Sequence, residues 1–140
     1  MAFLLADSSG VTGFRREELR SVYAVIYTRP GFQNPADTMR QFGPGTPTTD
    51  FRGLTIYASP NQNQFHFSVY AQPGTPFSYR VFVPTTGKIF NIDNVSHTFS
   101  EAEGSCKCQY VAEKRFTVNG QLQVQPIGDG KNNPVVVLPR

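Results

Sequence analysis

The 140-residue chain holds no tryptophan, two cysteines, two methionines and two histidines, and only 16% of it is charged. Each shortage removes a class of protein. Two cysteines cannot build a disulfide scaffold. No long apolar run occurs, so no helix is expected to cross a membrane. The opening Ala2-Phe3-Leu4-Leu5-Ala6 is too short for the apolar core of a signal peptide and lacks a basic flank. That predicts a cytoplasmic protein or one incorporated into a particle. The net charge of +3 is spread thinly. Arg15, Arg16 and Arg20 sit beside Glu17 and Glu18, and Lys114-Arg115 follows Glu113, whereas a nucleic-acid binder gathers its basic residues on one face. The charge pattern therefore argues against nucleic acid as a partner. Phosphate-cradling glycine loops, His-Glu-x-x-His and Gly-x-Ser-x-Gly are all absent.

What is present favours strands. Val, Ile, Phe, Tyr and Thr make up about a third of the chain, while Leu and Met are scarce. β-Branched and aromatic side chains suit a pleated, half-buried surface, and 12 Gly with 11 Pro supply frequent turns. The expected architecture is a single all-β domain over residues 1–140. Its form would be a two-layer antiparallel β-sandwich or small barrel of about eight strands, with one or two short N-terminal helices. One helix is expected over residues 13–20, capped by Thr12. A second is expected over residues 35–42, with Asn34 as N-cap, Pro35 in the first turn, Asp37 on the dipole and Gly43 as the stop.

Strands are expected over residues 21–28, 54–58, 64–71, 77–83, 88–92, 109–117, 121–125 and 134–138. The first carries apolar groups on both sides, as a strand covered on two faces would. Residues 64–71 alternate, with Phe65, Phe67, Val69 and Ala71 on one face and His66 and Tyr70 on the other. They are expected to form a hairpin with residues 77–83, bringing Tyr70 close to Phe82 as a ligand or interface patch. Asn119-Gly120 suggests a two-residue hairpin loop, but that register sets Phe116 opposite Gln123. A three-residue loop, Val118-Asn119-Gly120, instead sets Phe116 opposite Leu122 and keeps apolar groups together, so it is the expected turn.

Reactive chemistry has few candidates. Cys106 and Cys108 would point to one side of a strand. With His97 they are weak candidates for a metal site, although no recognised ligand spacing fits and two reduced thiols are the plainer account. His97 with Glu101 and Glu103 is the best acid–base cluster on offer, Asp93 being a further carboxylate. Ser100 to Glu103 equally resembles a helix-capping box. His66 is expected on a solvated face. Asn94-Val95-Ser96 matches a glycosylation acceptor, which without an export signal reads as chance, and residues 129–133 read as a turn. No cofactor and no catalytic residue is therefore assigned.

Low charge, abundant Gln, Asn, Thr, Gly and Pro, and the lack of a reactive cluster together predict a non-catalytic structural or assembly module. Such a protein forms a homo-oligomer or docks onto a larger particle, as a phage or virus component would. Two alternatives stand beside it. One is a small-ligand or glycan-binding β module using Tyr70, Phe82 and His66. The other is a small enzyme using His97 with Glu101/Glu103 and Cys106/Cys108.

Overall fold

A computed structural model of the protein describes residues 2–4, 13–40, 58–59, 62–66, 77–101, 109–126 and 137–140. In chain order these form β1 (Ala2–Leu4), α1 (Arg16–Leu19), β2 (Tyr23–Arg29), β3 (Gln33–Arg40), β4 (Ala58–Ser59), β5 (Gln62–His66), β6 (Ser78–Val83), β7 (Lys88–Glu101), β8 (Gln109–Val118), β9 (Gln121–Pro126) and β10 (Val137–Leu138). The all-β expectation holds. Six strands make an open antiparallel sheet in the order β3-β2-β6-β7-β8-β9, and four make a second sheet ordered β10-β1-β5-β4. The described strands number more than eight, and β1 runs parallel to β10, so the wholly antiparallel expectation is corrected.

The segment expected to be a helix over residues 35–42 is instead strand β3 as far as Arg40, with 41–42 outside the described residues. The local signals were those of a helix start, but a helix of two turns is marginal alone. Pairing with β2 brings Met39 opposite Ala24, where both are buried. Asn34 takes φ +53 and the register shifts between Ile26 and Tyr27, so Pro35 fits at the sheet edge without breaking the ladder.

The expected hairpin between residues 64–71 and 77–83 does not form. β6 has both of its edges occupied, by β2 and by β7, leaving no room for a third neighbour. β5 lies in the other sheet against β1 and β4. Residues 67–71, like most of 54–58 and 134–138, lie outside the described residues.

The expected three-residue loop is also corrected. Val118 pairs with Gln121, so the loop is Asn119-Gly120 alone. Its residues have φ +49 and φ +81, the left-handed pair that matches the twist of adjoining strands. Asn119 is held further. Its N–H donates to the Asn91 carbonyl at 2.8 Å, and its Oδ1 accepts from the Asn91 N–H at 2.9 Å. Turn geometry and these two bonds outweigh the apolar match.

The N-terminal helix is shorter than expected, four residues beginning after Arg15, and Thr12 lies outside the described residues. Glu18 Oε2 accepts the Arg15 N–H at 2.7 Å, satisfying an otherwise orphaned helix-start donor. The other oxygen of Glu18 accepts from Arg140 at 2.7 Å. Leu19 and Phe14 are buried in an apolar cluster with Val22, Ala24, Tyr79, Val81, Ile92, Phe116 and Leu138. Leu138 belongs to β10, so the second sheet contributes to the same cluster.

Candidate functional site

Alternation along each strand assigns side chains to two faces of the six-stranded sheet. Ala24, Tyr79, Val81, Phe90, Ile92 and Phe116 lie on the inner face and carry the apolar cluster. The outer face is laid out in cross-strand rows. Arg40, Tyr23, Phe82 and Ile89 follow one another across β3, β2, β6 and β7. Thr38, Val25, Arg80 and Asn91 form the neighbouring row. Farther along, Leu122 stands beside Thr117 and Val124 beside Arg115.

The rows are packed by ring and guanidinium contacts. Tyr23 and Phe82 stack at 4.7 Å with planes 12° apart, and the Arg40 guanidinium lies 5.4 Å from the Tyr23 centroid. The turn between β2 and β3 bends over the second row. Phe32 meets Tyr27 edge-on at 5.6 Å, and the Arg80 guanidinium sits 4.6 Å from the Phe32 centroid and 5.7 Å from that of Tyr27. Arg80 Nε also donates to Asn91 Oδ1 at 2.9 Å. Contacts of this kind contribute about 0.5–2 kcal/mol each, more as water is excluded.

Asp93 fastens that turn. Its Oδ2 accepts the Gly31 N–H at 3.0 Å, and its Oδ1 accepts the Asn94 N–H at 2.8 Å. The buried Ser78 hydroxyl donates to the same Oδ1 at 2.5 Å and lies 3.1 Å from the Arg29 carbonyl oxygen. Asp93 is thus a structural joint between β2, β6 and β7.

On the outer face three aliphatic side chains stand open to water, two of them beside Thr117 and Arg115. Leu122 is 66% exposed, Ile89 48% and Val124 46%. This follows from the two-residue turn. The register it imposes sends Leu122 and Val124 outward and leaves Gln121 and Gln123 on the inner side.

Of the residues singled out in the sequence, Phe82 occupies this face, half-buried, with Tyr23 as its ring partner. Tyr70, Glu103, Cys106 and Cys108 lie outside the described residues, as do residues 129–133. His66 belongs to β5, opposite Ala2, in the other sheet. His97 is half-buried on β7 opposite Lys114. Burial, and then the positive charge of Lys114, hold its pKa below the ordinary value of 6.5. Glu101 is exposed four residues farther along the same strand, a separation of about 13 Å at the usual rise. The structure does not bring these two together. Among the described residues no three His, Cys, Asp or Glu side chains gather in a group that could hold a metal ion.

Tyr23, Arg40, Arg80, Ile89, Leu122 and Val124 were not expected from the sequence to be site residues, Leu122 being read there as a core partner of Phe116. The available signals were the apolar residues on both sides of 21–28 and the Asn-Gly turn. No family model, curated protein or solved structure matches the chain.

Proposed function

We propose that this protein is a non-catalytic assembly module, a β-sandwich that associates with copies of itself through the outer face of its six-stranded sheet. One observation carries the reading: Leu122, Ile89 and Val124 are all exposed on the face turned away from the apolar cluster. Removing such side chains from water contributes roughly 1.5–3 kcal/mol each when burial is complete. The sandwich form is supported by Leu138 of β10, which joins the cluster beneath the six-stranded sheet.

The aromatic content of the face favours this reading over a stacking platform for sugars or bases. Tyr23 already lies between Phe82 and Arg40, and Phe32 and Tyr27 are taken up by each other and by Arg80. Their rings stiffen the sheet, and the aliphatic side chains offer the contact.

Light scattering after size-exclusion chromatography tests the reading. The wild-type chain is expected at a multiple of its own mass, with Ile89→Asp shifted to the monomer at the same concentration. A wild-type protein that stays monomeric over the whole concentration range would remove the basis for self-assembly.

A further inference from the structure

The two ends of the six-stranded sheet are built differently. β3 carries Pro35, a charged Asp37, a left-handed Asn34 and a register shift against β2. These are the devices that blunt a sheet edge against pairing with another chain. β9 has none of the charge or irregularity. Its sequence Gln-Leu-Gln-Val-Gln-Pro is uncharged, and it pairs with β8 in unbroken register from Gln121 to Pro126. Among the described residues no strand lies on its other side.

The direction of its main-chain groups follows from one residue. Pro126 has no N–H, and within a sheet a proline is tolerated on an edge strand with its nitrogen turned away from the ladder. Main-chain groups alternate in direction along a strand. Val124 and Leu122, two and four residues before Pro126, therefore also direct their N–H and C=O groups away from β8.

We propose that β9 pairs antiparallel with β9 of a second copy of this chain, centred on Gln123, so that two six-stranded sheets become continuous across a two-fold axis. The strand is self-complementary in that register. Leu122 and Val124 exchange main-chain bonds with the partner's Val124 and Leu122, placing apolar side chains side by side on the outer face. Gln123 faces the partner's Gln123 on the inner face, and no like charges meet. The pairing rests on the self-assembly reading and adds the β9 edge to the outer face as a second contact between copies.

Two sets of variants of the full chain test it. Val124→Pro removes an outward N–H that the pairing needs, whereas Val124→Ala trims the side chain and keeps the backbone. By light scattering, Val124→Pro is expected to be monomeric where wild type is dimeric, and Val124→Ala to weaken the dimer less than tenfold. In a Cys106→Ser/Cys108→Ser background, Gln123→Cys lies in a non-hydrogen-bonded pair with its own symmetry mate. The Cα separation there is about 4.5 Å, within disulfide range. Mild oxidation should yield a covalent dimer with Gln123→Cys and little with Gln121→Cys, whose symmetry mate is displaced. The cross-linking result stands even if Val124→Pro fails to fold. Association that survives Val124→Pro but is lost in Ile89→Asp would overturn the edge pairing and leave the face reading intact. A wild-type monomer at every concentration would overturn both, and equal cross-linking at positions 121 and 123 would overturn the register.

Discussion

Asp93 receives a hydroxyl and two main-chain N–H groups, and these bonds tie the β2–β3 turn to β6 and β7. Ser78 is the buried member of that joint. Ser78→Ala removes a hydrogen bond to a charged group, and is expected to cost about 1.5–3 kcal/mol in denaturant unfolding. Phe32 and Arg80 should lose part of their cover over Tyr27 in the same variant, which near-ultraviolet circular dichroism would register. His97 makes a different prediction. Because its folded pKa lies below 6.5, the unfolded chain binds more protons in the window beneath that value. The stability that neutral His97 contributes is complete above pH 6.5 and declines as the pH falls toward its folded pKa. A series of melting temperatures from about pH 7.5 to pH 5 should fall less steeply in His97→Gln than in wild type. An unchanged slope would show that His97 does not govern the acid response.

At the scale of elements, the β8–β9 turn decides which side of β9 faces water. Gly120 has no neighbour within 4 Å of an added Cβ, so Gly120→Ala isolates the strain of a positive φ, about 1–2 kcal/mol. Asn119→Ala should cost at least as much, since it forfeits the bond to Asn91 as well as tolerance of the left-handed conformation. Both are readable by chemical denaturation. The same turn shows how far the residues alone could be read. Positions 77–83, 109–117 and 121–125 were legible as strands because alternation and turn residues agree there. The register between the last two was not, because the apolar match presumes a single buried face. In this sheet Leu122 and Val124 face outward, and the local Asn-Gly geometry prevails. Residues 35–42 misled for the opposite reason. Asn34, Pro35 and Asp37 are genuine helix-start residues, and only the distant pairing with β2 converts them to a sheet edge. Strand order was illegible throughout, since nothing near residues 77–83 in the chain indicates that β2 takes the edge expected for residues 64–71. Of the candidate site, Phe82 was visible as an outward aromatic. Its actual partner, Tyr23, comes from a strand far away in the chain.

For the whole molecule, the outer face and the β9 edge belong to one surface. An assembly that joins β9 to its copy would set Leu122 and Val124 of both chains into a single apolar patch, on the same face as Ile89 and the Tyr23–Phe82 stack and separated from them by Asn91, Asp93 and Thr117. β7 carries a separate implication. It pairs with β6 only from Lys88 to Ile92, yet continues alongside β8 to Glu101, through register shifts at Asp93/Ser96 and Thr98/Phe99. Among the described residues, the far end of this ribbon has no third strand, and Phe99 and Tyr110 there are 49% and 38% exposed. A two-stranded ribbon with exposed aromatics is held by little more than its own ladder. Deuterium should therefore enter the amides of 99–101 and 109–111 first, with those of 79–82 and 89–92 the last to exchange. The molecule would open like a zipper from that tip, long before the layer around Tyr79 and Ile92 admits solvent.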